Sequence, residues 1–180
     1  MSIRTCTLPA LAAVAAIGAT APGAHAATAT TPSAFDVNYL KTSIQGDRFE
    51  IDGGKIAEQR GSTAAVKAYG ARLVKDHTKS LKEATALAKK LGIKVPTRPS
   101  QSQQWELGTI ASFSGTDFDQ RYADLETMDH QQDISETQDE VKMGSSAAVI
   151  QAARKEIPTL KAHLKIARGL GGHNAKDPGA

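Results

Sequence analysis

TAAVKAYGARLVKDHTKSLKEATALAKKL, residues 63–91, is the stretch from which the fold can be read. Val66, Gly70, Leu73, His77, Leu81, Ala84, Ala88 and Leu91 recur in it at steps of three and four. That spacing lays them along one side of an α-helix, in the narrow stripe that packs inside a bundle. His77 falls on the stripe, so an imidazole is sent where apolar side chains go.

Gly61-Ser62 precedes this segment and Gly92 through Pro99 follows it, which marks its two ends. A first segment, residues 34–60, places Phe35, Tyr39, Thr42, Phe49 and Ile56 on one side, with Gly46, Glu50, Gly53 and Ala57 beside them. Small residues there let another helix come close. A third segment runs from Thr116 and Asp119, read as a capping box, to Met143. Along it Phe118, Tyr122 and Leu125 form one row, and Ala123, Thr127, His130, Ile134, Thr137 and Val141 the next. The fourth, residues 146–168, carries Val149, Ala153, Leu160, Leu164 and Ala167; Pro158 is expected to kink or restart it, because its ring frees the carbonyl of Arg154.

Short connections make the first two segments one antiparallel hairpin and the last two another. Residues 92–116 are too many for a tight turn, and Ser100 to Ser112 is an amphipathic piece in which Trp105 and Ile110 are expected to cover the bundle. Two helical hairpins joined by a long crossover containing a short helix predict an all-α, ferritin-like four-helix bundle. Composition agrees. The 180 residues are 40% apolar and 23% charged but only 4% aromatic, which suits close-packed, alanine-rich helices in one domain.

The first 26 residues have the form of a signal peptide: Arg4, an apolar run from Leu8 to Ala21, and Ala24-His25-Ala26 for cleavage. The expected product is exported to the periplasm or cell envelope, with residues 27–33 a flexible leader, 34–168 the bundle and 169–180 a disordered tail. Cys6, the single cysteine, leaves with the signal, so the mature chain has no disulfide. No later run approaches the ~20 apolar residues of a membrane span. Loss of Arg4 lowers the net charge from +3 to about +2, too little to imply nucleic acid as partner.

Of the five histidines, His77, His130 and His163 lie deep inside long helical segments. Measured from the segment centres, these three and Glu50 fall within about 8 Å of one level at ~1.5 Å per residue. Glu126 stands one turn before His130, at a spacing that lets two side chains share a ligand. Burying such groups in an alanine-rich bundle is costly unless something compensates them, and a transition ion accepts two or three imidazoles with one or two carboxylates. Glu50, His77, His130, His163 and Glu126 are therefore the candidate metal ligands. The competing interpretation has the histidines bonded to backbone carbonyls or to neighbouring acids such as Asp76 and Asp129, in a purely structural or interaction protein of the envelope.

Five short motifs in order also carry a resemblance: residues 45–50 (QGDRFE), 74–77 (VKDH), 91–96 (LGIKVP), 118–122 (FDQRY) with His130, and 157–164 (IPTLKAHL). Over residues 35–170 the chain resembles the exported bacterial family called domain of unknown function 4142. The resemblance implies a ferritin-like helical fold and an envelope location, and no settled activity. By motif position it puts the family's glutamate on Glu50 and its histidines on His77, His130 and His163. Gly53 departs from the pattern, which usually has an aliphatic residue there.

Di-iron chemistry is not indicated. Glu-x-x-His is absent, since Val74, Thr127 and Leu160 stand three before the histidines. With three imidazoles and one carboxylate, a mononuclear zinc or copper site is more natural than a di-iron oxidase, and the expected cofactor is one transition ion: zinc, copper or iron. Lysines and Arg72 crowd the second segment and acids the third, from Asp117 to Glu140, so oppositely charged faces are a further expectation for contact within the bundle or between copies. No Ser-His-Asp order, phosphate-cradling loop or metallohydrolase motif marks an enzyme.

Overall fold

The computed structural model describes residues 31–171. The expected signal peptide with Cys6 and His25, leader residues 27–30, and tail residues 172–180 with His173 lie outside the described residues. Five helices follow: α1 (Ala34–Arg60), α2 (Ala64–Lys90), α3 (Gln101–Ile110), α4 (Gly115–Met143) and α5 (Ala147–Gly169).

Local chemistry sets their ends. Ser33 and Asp36 form a capping box on α1, Thr63 caps α2 through Val66 N–H, and Ser100 with Gln103 boxes α3. Gly92, at φ 71°, closes α2: its N–H reaches Lys89 O and that of Ile93 reaches Ala88 O, while Ile93 turns into the core. This is a Schellman stop, and it needs the left-handed backbone that glycine adopts freely.

α1 packs most extensively on α2 and α4 on α5, and the hairpins meet along α1–α4 and α2–α5. Gly61, after α1, bridges Gly115 at the start of α4, whereas Asp36 near the start of α1 bonds Ser145 and Ser146 beyond the end of α4. α1 and α4 are therefore antiparallel, and the crossover must travel the length of the bundle. That is the ferritin-like arrangement the sequence predicts.

The apolar core is divided in two. One cluster, around Ala57, Leu73, Phe118 and Tyr122, lies toward the Gly61 end; the other, around Leu40, Ile44, Ala88 and Val149, lies toward the Asp36 end. Between them is a waist of buried polar groups, among them Asp47, Glu50, His77, Glu126, Thr127, His130 and His163.

Several expectations are corrected. Trp105 is 71% exposed, so of the expected pair Ile110 alone covers the bundle. Phe35 and Thr42 are also exposed, and α1 buries Leu40, Ile44 and Asp47 in their place, because its inward face must serve both α2 and α4. Asp119 does not cap its own helix. It accepts from Ser62 N–H (2.7 Å), Ser62 Oγ (2.7 Å) and Thr63 N–H (3.0 Å), at the start of α2. α5 continues through Pro158 without restarting. α2 and α4 stand on a diagonal, so the lysines of α2 do not meet the acids of α4 within the bundle, and of those acids Glu126 and Glu140 are buried while Asp129 and Asp133 are partly so.

Candidate metal centre

Each long helix contributes one of the predicted groups to the waist: α1 Glu50, α2 His77, α4 His130 and α5 His163, all buried. The ring centroids of the three histidines stand 5.2–5.9 Å apart. One ligating atom from each lies within 4.8 Å of those of the other two.

The outward ring nitrogens show where the protons are. His130 Nδ1 faces the carbonyl oxygen of Glu126 at 3.0 Å, and a carbonyl only accepts, so Nδ1 carries the hydrogen. His163 Nε2 is 3.0 Å from Asp76 Oδ2. Burial alone would raise Asp76, but the hydrogen bond and charge of His163, with Arg72 behind, hold it below the usual carboxylate range; it is an acceptor, and His163 is protonated at Nε2. His77 Nδ1 lies 2.9 Å from Asp47 Oδ1. Burial pushes the Asp47 carboxyl well above its ordinary range, so one hydrogen is shared between it and His77 Nδ1; when Asp47 is ionised that hydrogen rests on Nδ1, and Nε2, which has no protein partner, presents a lone pair.

The inward nitrogens of His130 and His163 are thus left bare. His130 Nε2 and His163 Nδ1 face each other at 3.3 Å with no proton between them. Charging one ring would supply a proton, but burial opposes it: His77 and His163 are depressed to about 4 and His130 is well below its ordinary value. A cation resolves the conflict. Two imidazole nitrogens ~2.0–2.1 Å from a tetrahedral zinc stand about 3.3–3.4 Å apart, which is the spacing observed. Outer acceptors that fix tautomer and ring orientation are the usual support of metal-binding histidines.

Glu50 and Glu126 do not join this triad. They lie on the other side of the His130 ring, with Glu50 Oε1 3.8 Å and Glu126 Oε2 3.6 Å from Nδ1. A second cluster consists of Glu50, Asp129 and His130. The five residues named from the sequence therefore divide into two sets that meet at His130.

A cavity of about 100 Å³, lined in part by Asp47, Asp76, His77, Glu83, Lys155 and Glu156, runs from the triad to the seam between α2 and α5. Charged side chains line it, although most of its exposed wall is apolar, and it is large enough for a few waters. Among the described residues no helix is long and apolar enough to cross a membrane.

A family model, the domain of unknown function DUF4142, matches residues 20–170. The chain belongs to this family. No curated protein matches this DUF4142 chain. Among solved structures it is similar to the crystal structure of a DUF305 fragment from Deinococcus radiodurans, with 13% identity and a TM-score of 0.69, covering 78% of this chain and 97% of that one. At that identity the likeness speaks for the fold alone, and the fold it supports is the helical bundle described above.

Sequence reasoning missed Asp47 as a partner of His77. It noted Asp76 only as the neighbour of His77, whereas in the bundle it serves His163 across the α2–α5 seam. It also left Asp129 out of the candidate ligands. Asp47 stands three residues before Glu50 on the same helix, a spacing that placed it on the buried face.

Proposed function

We propose that this is an exported helical bundle that binds one transition-metal ion through His77 Nε2, His130 Nε2 and His163 Nδ1, with the fourth position open to water or an incoming donor. The observation that carries this reading is the pair of bare, buried nitrogens 3.3 Å apart, each ring with its hydrogen committed elsewhere. Three imidazoles suit zinc or copper. The cavity beside His77 offers the ion a route to solvent, so the role we assign is buffering or delivery rather than catalysis. Export rests on the form of residues 1–26.

The test is elemental analysis of tag-free mature protein purified without chelator, followed by zinc and copper titration. One ion per chain, lost in the His77→Ala/His163→Ala variant, is expected. If no metal is taken up, and the variant melts where the parent does, the histidines only fill a polar layer and the proposal is wrong.

A further inference from the structure

Glu50 is fully buried, and neither of its carboxylate oxygens has a hydrogen-bond partner; the same holds for Glu126 Oε1 and Asp129 Oδ2. Glu50 stands within hydrogen-bonding reach of both Asp129 and Glu126. Three acids thus converge from two helices, and four of their oxygens have no donor.

Burial raises all three carboxyls above their ordinary range, and no basic side chain on their own helices answers them. On a helix, a base three or four residues away could answer a carboxylate. The residues at those positions around Glu50 are Gly46, Asp47, Gly53 and Gly54; around Glu126 they are Tyr122, Ala123, Asp129 and His130; around Asp129 they are Leu125, Glu126, Gln132 and Asp133. None is a lysine or arginine. The Tyr69 hydroxyl donates to Glu126 Oε2 at 3.4 Å, and the buried Tyr122 hydroxyl faces the same group without a bond of its own. His130 cannot help, because its Nδ1–H is held by the Glu126 carbonyl. Uncompensated burial of even one carboxylate costs several kcal/mol.

The geometry points to a second cation site, formed by Glu50, Glu126 and Asp129 on the Nδ1 side of His130, which takes a hard divalent ion while the imidazoles on the Nε2 side take a softer one. Oxygen-only donors select the hard class, of which Mn²⁺ is the convenient probe. The site stands on its own orphaned oxygens and does not require the imidazole triad to be filled. Its two helices, α1 and α4, come from different hairpins, so the ion joins the halves of the bundle.

Mn²⁺ is titrated into mature protein and free Mn²⁺ is read by electron paramagnetic resonance. The titration is run on metal-free protein, on protein given one equivalent of Zn²⁺, and on His77→Ala. One Mn²⁺ per chain in all three, and at least tenfold weaker uptake by Glu50→Gln, is the expected result. Glu50→Gln keeps the side-chain shape and relieves charge; should it fail to fold by circular dichroism, Asp129→Asn takes its place. The proposal is overturned if every Mn²⁺ stays free, if the carboxamide variants bind as the parent does, or if infrared bands of protonated carboxyl groups persist unchanged with Mn²⁺ present, since the acids then hold protons instead. Loss of zinc uptake with Mn²⁺ uptake retained refutes the imidazole site alone.

Discussion

The behaviour of the waist is decided by which atom of each side chain is already engaged. Asp76 is the accessible example: it holds His163 in the tautomer that turns Nδ1 inward, yet it is partly exposed and its replacement should leave the fold intact. Asp76→Asn is expected to weaken zinc binding by roughly 10–100-fold, the usual cost of losing an outer carboxylate, measured by competition with a chromophoric chelator; unchanged affinity would show that the tautomer is set elsewhere. Glu140 offers a test by pH. Burial, followed by the Asp36 carboxyl beside it, pushes it from 4.5 up to about 7. The folded chain therefore holds that proton more tightly than the unfolded chain does, so the contribution to stability is complete at pH below the ordinary value and is lost as the pH rises toward 7. Glu140→Gln should melt with a flatter pH profile than the parent between pH 5 and 7, and parallel profiles would contradict the assignment. At this scale the sequence showed His77 on its stripe and His130 and His163 at the same level. It could not show that Asp47 would meet His77 or Asp76 meet His163, because pairing across helices depends on rotations that no single-helix periodicity records.

Among the elements, α2 was the most legible, since one uninterrupted stripe faces the core and no second partner competes for it. α1 was misread because its inward arc is wide and partly polar: Asp36, Asp47 and Glu50 are buried there with Leu40 and Ile44, and a search for apolar residues passes over half of that face. The glycines of α1 differ in kind. A Cβ on Gly53 would meet only ordinary contacts, the nearest at 3.6 Å, so the departure from the family pattern leaves space and nothing more. A Cβ on Gly54 would come within 2.6 Å of Gly70 O, and one on Gly70 within 2.6 Å of Gly54 O. α1 and α2 touch backbone to backbone there. Gly70→Ala must push the helices apart and is expected to cost about 1–3 kcal/mol, read as a lowered midpoint in urea, whereas Gly53→Ala should fall near the parent. Equal effects would remove the close crossing from the explanation.

Across the whole molecule, the split core has an energetic consequence. Two modest apolar clusters are joined through a layer whose charges and lone pairs repel one another unless something cationic lies among them. Amide hydrogen exchange of the metal-free protein should show the two ends opening as separate units, with the slowest amides around Leu73 and Phe118 at one end and Ile44 and Ala88 at the other. Zinc should bring their opening energies together. If the two ends already exchange as one unit without metal, the waist does not divide the fold. The overall architecture was readable in advance because it depends on helix lengths, connection lengths and the crossover, quantities that the glycines and prolines mark. The reciprocal fastening of the hairpins was not, because Asp36 and Asp119 each serve a turn more than 50 residues away in sequence.

That fastening has a form of its own. Asp36, in the first helix of one hairpin, receives the amide hydrogens of Ser145 and Ser146 at the head of the other hairpin's second helix; Asp119, in the first helix of that hairpin, receives those of Ser62 and Thr63 in return. Each half carries both a key and a lock, one at either end of the bundle. Neither hairpin can pull away from the other without stripping the capped turn at one of its partner's ends, so separation of the halves and fraying of those turns are one event.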